Sequence, residues 1–163
     1  MYSLHPIGVV RKNSIRIHKR WIKALRGIEG FSHLIVVFWL HSARRAKLLI
    51  HPKGNKSIPK MGYFATRTPR RHNPIGVSVV RLINRAGGQL FVEGLDAWPG
   101  TPVLDVKPYT PRDAVKNFKI PSWVRLLDEQ EPVPLRRYDQ SLHQTLRRIR
   151  TRRKTLGPRI RTP

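Results

Sequence analysis

YFATRTPRRHNPIGVS, residues 63–78, places a proline- and arginine-rich loop between two apolar segments. Pro69 and Pro74 fix their own φ and bias the residues before them towards extended backbone. Gly76 permits a backbone geometry that residues with a Cβ resist. The pattern predicts a stiff cationic loop between a strand ending at Tyr63–Ala65 and a strand over Val77–Asn84. Such a loop suits an anion or a polyanion; the alternative is a solvated loop whose prolines only end a strand.

Short apolar segments recur about every ten residues on both sides of this loop. The clearest is HLIVVFWLH, His33–His41, which is apolar on both faces, as in a central strand. The glycines of Arg85–Gly88 predict a hairpin turn before a strand over Gln89–Glu93. Further strands are predicted over Ile7–Arg11, Ala46–Ile50 and Val103–Lys107. With a single helix predicted over Ile17–Ile28, this spacing indicates a mainly β barrel or sandwich.

The composition indicates one domain that attracts polyanions. The chain has 163 residues, of which 39% are apolar, enough for a core. Lys and Arg number 33 against 9 Asp and Glu, a formal charge of +24 that draws nucleic acid through counterion release. The absence of Cys excludes disulfides and thiolate sites. No signal-peptide pattern and no bilayer-length apolar run are present, so a cytoplasmic protein is expected.

The last third of the chain is poor in strand formers and rich in Arg. It predicts a β domain over 1–113 and a basic, partly helical extension over 114–163. A helix is predicted over Gln140–Lys154, with a disordered end from Thr155. Its cations are candidate RNA-binding residues: Arg147, Arg148, Arg150, Arg152 and Arg153. A nucleic-acid arm is favoured over a docked helix with solvated arginines because the charge has one sign.

Two charged residues share one face of the strand predicted over Val103–Lys107. Asp105 and Lys107 alternate with apolar residues, so their side chains point the same way. A carboxylate beside an ammonium stays ionised and can take a proton or orient a substrate. The alternative is a surface salt bridge of little energetic value.

Two further residues near this strand are candidates for function. Asp96, between Gly94 and Gly100, is a second candidate carboxylate, or it caps its own turn. Tyr109 offers a ring for stacking on a base, or it packs as a rim aromatic. No G-x-G-x-x-G or Walker A sequence is present, and the seven His lack zinc-site spacing, so no Rossmann cofactor, P-loop or metal site is predicted.

Three long segments in series carry a resemblance to a known family. They are GIEGFSHLIVVFWLH (27–41), YFATRTPRRHNPIGVSVVRL (63–82) and GLDAWPGTPVLDVKPYTP (94–111). Together they resemble the TsaA-like, or TrmO, family, whose studied members are S-adenosylmethionine-dependent tRNA methyltransferases. Three motifs in order are a stronger signal than any short pattern.

The resemblance implies a small single-sheet β-barrel with one or two short helices, usually a homodimer, that binds S-adenosylmethionine without a Rossmann fold. It implies methylation of N6 of N6-threonylcarbamoyladenosine at position 37 of a tRNA. By motif position, the implied cofactor contacts are His41, Ser42, Arg67, Val77, Leu95, Asp96, Ala97 and Trp98.

The implied reaction needs a general base, because the lone pair of that N6 is delocalised and its proton must leave as the methyl arrives. Asp105 is the first choice and Asp96 the second. Lys107, Arg70 and Arg71 could hold the substrate carboxylate or phosphates. Asn73 could orient the base through its amide.

The chain departs from the family in its first third. The family's longer segment after the first strand carries a Pro-Arg-Gln element that contacts the cofactor, whereas here Arg11–Ile15 leads almost directly to Ile17. The usual Arg-Pro-Asn-Pro is RHNP at 71–74, and the basic tail replaces the C-terminal domain of some bacterial members. Three hypotheses therefore stand: the tRNA methyltransferase, a non-catalytic RNA-binding protein that kept the barrel, and a methyltransferase on another substrate.

Overall fold

The computed structural model describes residues 3–44 and 47–130, and this part of the chain contains eight β-strands. The strands are β1 (Gly8–Arg11), β2 (Ser14–Ile17), β3 (His33–Trp39), β4 (Leu49–Ile50), β5 (Met61–Gly62), β6 (Ile75–Ala86), β7 (Gln89–Glu93) and β8 (Pro102–Pro108).

Six of these strands form one antiparallel sheet that closes on itself. Their order is β1-β2-β7-β6-β3-β8, and β1 pairs with both β2 and β8. All seven residues of β3 pair with β6, and β8 pairs along its other side. The prediction of a mainly β fold is confirmed. Strands β4 and β5 form a separate two-stranded sheet.

The core lies inside the closed sheet, because successive side chains of a strand point to opposite faces. On β3, Leu34, Val36 and Phe38 are buried, while the intervening residues are only half-buried on the outer face. The prediction that β3 is a central strand is confirmed, because it lies between β6 and β8. The largest fully buried side chains of the neighbouring strands are Val10, Ile15, Val80, Leu90 and Val103.

The connections between strands divide between two ends of the barrel, because neighbouring strands run in opposite directions. The loop end carries the β1–β2 turn at residues 12–13, the connection 40–74 and the segment 94–101. The helix end carries the connection 18–32 and the β6–β7 turn, which confirms the predicted hairpin. The chain leaves β8 at the helix end, where Pro108 pairs with Leu34.

The helix predicted over Ile17–Ile28 is wrong in type and bounds. Ile17 belongs to β2, and 3₁₀ helices occupy Lys19–Leu25 and Ile28–Gly30. With three residues per turn, Ile22 and Leu25 of the first 3₁₀ helix share a face. Leu25 joins the core and Ile22 contacts Gly88, so this helix covers the helix end of the barrel.

The strand predicted to end at Tyr63–Ala65 is wrong, because these residues form a 3₁₀ turn after β5. The amide and the hydroxyl of Thr66 both donate to the Tyr63 carbonyl oxygen, at 3.1 and 3.0 Å, and these bonds close the turn. The strand after the cationic loop is longer than predicted and covers Ile75–Ala86. The strand predicted over Ala46–Ile50 is described only as Leu49–Ile50, since residue 46 lies outside the described residues.

Two short helical elements follow β8, the first at the end of the predicted β domain and the second in the predicted basic extension. A 3₁₀ turn covers Pro111–Asp113, and α1 covers Ser122–Gln130. The sequence patterns did not indicate α1, whose Leu127 is buried. The helix predicted over Gln140–Lys154 lies outside the described residues, and the boundary between residues 113 and 114 stays a prediction. Within the described ranges, every helix is too short or too polar to cross a bilayer.

Candidate functional site

One edge of β6 is open towards the loop end of the barrel. β6 pairs with β3 from Ile75 onward, but with β7 only from Arg81 onward. The Leu40 amide donates to the Pro74 carbonyl oxygen at 2.7 Å, next to the Trp39–Ile75 pair that begins this register. Main-chain groups alternate sides along a strand, so those of Val77 and Val79 point away from β3.

Two other parts of the chain border this open edge. The Arg67 guanidinium donates from Nη2 to the Val77 carbonyl oxygen at 3.3 Å. Gly94, at φ +87°, passes so near that a Cβ on it would lie 3.7 Å from the Val79 carbonyl oxygen. We call this group of residues, the 77–79 edge with Arg67 and the segment 94–98, the β6-edge site.

The segment 94–98 combines buried anchors with exposed side chains. Leu95 is buried in the core cluster, and Ala97 packs against that cluster. Asp96 is exposed and the Trp98 side chain is 75% exposed. The Thr101 amide donates to the Trp98 carbonyl oxygen at 3.1 Å, which closes the turn after the segment. The apolar residues thus hold the backbone, while a carboxylate and an indole remain accessible.

His41, Ser42 and Asn73 lie together at the loop end. His41 and Ser42 form the exposed turn that directly follows β3. Asn73 is exposed and precedes Pro74, whose carbonyl oxygen accepts the Leu40 amide. This bond places the Asn73 backbone beside the His41–Ser42 turn, so the three candidates from two motifs share one surface.

Asp105 and Lys107 form an ion pair on the outer face of β8. Lys107 Nζ lies 2.6 Å from one Asp105 carboxylate oxygen, and the Val106 amide donates to the other at 2.8 Å. The hydrogen bond to Asp105 raises the pKa of Lys107 above its ordinary value. Asp105 pairs with Val37, which also pairs with Val77, so Asp105 and Val77 are two strand spacings apart, about 10 Å. Within one chain, Asp105 therefore lies beside the β6-edge site and not in it.

The candidate RNA-binding residues are dispersed. Arg71 is half-buried and donates to the carbonyl oxygens of Tyr63 and Thr66, at 3.2 and 2.8 Å, which braces the cationic loop. Arg70 is exposed on the same loop. Tyr109 lies at the helix end with its ring edge-on to His33, at 6.3 Å between centroids. The candidate arginines between 147 and 153 lie outside the described residues.

The structure thus brings together the candidates at the loop end and separates them from the candidates on β8. Arg67, Val77 and the segment 94–98 border one strand edge, although they come from three parts of the sequence. Sequence patterns did not indicate Val79, because it contributes main-chain groups, which do not depend on the type of residue. Gly94 was visible as a glycine, but its proximity to β6 depends on the register of the sheet.

Comparisons with known proteins agree with this architecture. Residues 6–114, more than half of the chain, match the tRNA-methyltransferase O N-terminal domain family. A probable S-adenosyl-L-methionine-binding protein of Pyrococcus abyssi is 41% identical over 110 residues, which cover 67% of this chain and 59% of the relative. A putative S-adenosylmethionine-dependent methyltransferase, RcsF of Pseudomonas aeruginosa, is 46% identical over 60% of this chain and 44% of its own length.

The crystal structure of TrmO from Pseudomonas aeruginosa superposes with a TM-score of 0.61 and 32% identity, over 76% of this chain and 62% of that one. The chain therefore spans less than two thirds of the length of these relatives. The fold class is a small, mainly β protein built on one closed antiparallel sheet. The chain belongs to the tRNA-methyltransferase O N-terminal domain family.

Proposed function

We propose that this protein is an S-adenosylmethionine-dependent tRNA methyltransferase that methylates N6 of N6-threonylcarbamoyladenosine at position 37. The observation that carries the proposal is the convergence of Arg67, Val77 and the segment 94–98 at one strand edge, in a chain of this family. Relatives named as S-adenosylmethionine-binding proteins support the cofactor, and the family name supports the tRNA substrate.

The residues of the β6-edge site fit the chemistry of that cofactor. The outward-facing main chain of Val77 and Val79 offers donors and acceptors to an adenine edge, and the exposed Trp98 offers an apolar face for stacking. The Arg67 guanidinium can pair with the methionyl carboxylate. When bound, the cofactor supplies an electrophilic methyl group. The protein holds the two reactants in line, which supplies much of the rate.

A general base must remove the N6 proton as the new bond forms, since the nitrogen lone pair is delocalised. Within one chain we assign this role to Asp96, because it belongs to segment 94–98 of the β6-edge site. Asp105 is the alternative, with its carboxylate 2.6 Å from Lys107 Nζ. Asp105 would need a second copy of the chain to bring it to the site.

A homodimer is part of this proposal. The outer face of β6 and β3 exposes Val77 and Val79, at 47% and 51%, beside the half-buried Ile35, Val37 and Trp39. A second copy packed on this apolar face would bury it and would also approach Asp105 and Lys107 on β8. Light scattering of the purified protein tests the dimer, and a monomer at all concentrations would leave Asp96 as the only candidate base.

The central experiment compares two tRNA preparations as substrates, one from a strain with the threonylcarbamoyl modification and one from a strain without it. Mass spectrometry of digested nucleosides should show methylated threonylcarbamoyladenosine from the first tRNA only. Methyl transfer to both preparations would indicate a different substrate. Asp96→Asn should then abolish transfer while retaining cofactor binding by calorimetry, and Asp105→Asn in parallel identifies the base.

The second candidate function is a non-catalytic RNA-binding protein. It is favoured by the β1–β2 connection, which has only two residues between Arg11 and Ser14 and so contributes no wall to a cofactor site. Calorimetry with S-adenosylmethionine separates the two candidates. No binding up to millimolar-range cofactor, with tRNA binding retained, would leave only this second function.

A further inference from the structure

The helix end of the barrel carries a group of exposed cations that the proposed reaction does not use. They belong to the outer side of β2 and to the first 3₁₀ helix, and we call them the cationic face: Arg16, Lys19, Arg20, Lys23 and Arg26. All five are exposed, and within the described residues none of them forms an ion pair. They lie at the end of the barrel opposite the β6-edge site.

The 3₁₀ geometry aligns part of this face. Three residues complete one turn, so side chains at intervals of three eclipse each other along the helix. Ile22 and Leu25 take the row that faces the barrel. Arg20 and Lys23 form a second row, which Arg26 continues as the residue that caps the helix. The apolar row faces inward and the cationic row therefore faces solvent.

Glu29, the acidic residue nearest to the cationic face along the chain, is already paired with Arg85 of β6. Between residues 3 and 28 there is no Asp or Glu. Glu29 pairs with Arg85, whose Nη1 lies 3.2 Å from a Glu29 carboxylate oxygen and also donates to the Leu25 carbonyl oxygen at 3.1 Å. A main-chain hydrogen bond of Glu29 itself, and then the Arg85 guanidinium, lower the pKa of Glu29 below its ordinary value. Arg85 thus anchors the helix and occupies the Glu29 carboxylate.

An aromatic ring lies within the cationic face. The Arg20 guanidinium carbon is 5.2 Å from the Trp21 ring centroid, and Trp21 is 42% exposed. The exposed Trp21 ring can stack on an unpaired base, while Arg20 and the other cations contact phosphates. A membrane surface fits less well, because Ile22 and Leu25 face the barrel and leave no apolar stripe outside.

We infer that the cationic face is a second RNA-binding surface, which holds the sugar–phosphate backbone of the substrate at the barrel end opposite the methyl-transfer site. This inference rests on the proposed function only for the identity of the RNA as tRNA. The contact between the cationic face and RNA does not depend on it. RNA that contacts both ends of the barrel is held in one orientation along it. The cationic face therefore increases the affinity for RNA and fixes its position, without touching the reacting atoms.

The test measures tRNA binding without cofactor over a salt series, by fluorescence anisotropy. Arg20→Gln/Lys23→Gln should reduce the magnitude of the slope of log K against log salt by about 1.4 to 1.8, for two lost phosphate contacts. Lys56→Gln/Lys60→Gln is the matched control, because it removes the same charge from two exposed lysines of the loop before β5. Arg20→Lys/Lys23→Arg should retain the wild-type slope. Circular dichroism confirms that each variant is folded.

Equal slope changes in the test pair and the control pair would overturn the inference, because they would reflect net charge alone. An unchanged slope in the test pair would overturn it as well. A loss of binding to anionic lipid vesicles with tRNA binding intact would reassign the face to a membrane surface and overturn it. If the wild-type protein transfers no methyl group but the test pair alone lowers the slope, the inference stands and the proposed function fails.

Discussion

The two ends of the barrel differ in how they use their residues. At the loop end, Asp96 and Trp98 are exposed on a backbone that Leu95 anchors, and the edge of β6 is left uncovered. At the helix end, Leu25 is buried, Ile22 contacts Gly88 and Arg85 makes bonds to three neighbours. The comparison indicates that one end keeps polar groups available to a ligand. The other end packs Ile22 and Leu25 inward and exposes a mainly cationic surface.

The largest expected effect comes from adding one methyl group at the loop end. A Cβ on Gly76 would overlap the ring of the buried Phe38, so Gly76→Ala should destabilise the protein by about 1 to 3 kcal/mol. Urea unfolding followed by circular dichroism measures this loss. Gly62→Ala is the control, because a Cβ there has open space.

Gly88→Ala is the corresponding substitution at the helix end, to be compared with Gly76→Ala. Its Cβ would lie 2.7 Å from Ile22 Cδ1, the tip of a flexible side chain that can rotate away. The loss of stability should be below about 1 kcal/mol, because volume changes cost less where neighbours can move. A loss as large as that of Gly76→Ala would show that the 3₁₀ helix is packed as rigidly as the core.

The next effect concerns the anchor of the 3₁₀ helix. Arg85→Met removes the hydrogen bonds to the carbonyl oxygens of Leu25 and Gly87 and the ion pair with Glu29. Since the lost bonds are charge-assisted and the one to Leu25 is part-buried, stability should fall by about 1 to 2 kcal/mol. Thermal unfolding measures the change. Arg81→Met is the control, because its exposed ion pair with Glu93 should matter less.

Trp98→Ala should separate ligand binding from folding at the loop end. Its side chain is largely exposed, so stability should change by less than about 0.5 kcal/mol. Affinity for S-adenosylmethionine should fall about tenfold, through the loss of a stacking contact worth roughly 1 to 1.5 kcal/mol. Calorimetry measures the affinity, with the exposed Phe118→Ala as the aromatic control. Equal affinity in both variants would remove Trp98 from the site.

The smallest effect is a pH dependence at the helix end. The folded-state pKa of Glu29 lies below its ordinary value of 4.5, so its contribution to stability is present above that value. The contribution is lost as the pH falls through the folded-state pKa. Wild type should therefore be slightly more stable than Glu29→Gln at pH 7, and the difference should be smaller at a pH below 4.5. Urea midpoints at the two pH values measure this, and a difference that grows in acid would reverse the sign.

Much of the fold was predictable because its signals are local. The β-branched and aromatic run of β3, the glycines of the β6–β7 turn and the Asp105–Lys107 spacing all act within a few residues. The four-residue β2 was missed, since Ile17 also fits the apolar spacing of the segment that follows. The 3₁₀ form of Lys19–Leu25 was also missed, because its inward row depends on contact with Gly88, sixty-odd residues away.

The amino-acid sequence by itself determined the net charge of +24, the mainly β character and the family, because composition and the order of motifs can be read without knowing which residues are in contact. Only the tertiary structure decided which candidates share a surface. The register of β6 left its edge open beside Arg67 and Gly94, and the order of strands set Asp105 on the far side of β3. The physical reason is that proximity between distant residues follows from strand pairing, and pairing is settled by the packing of the whole core.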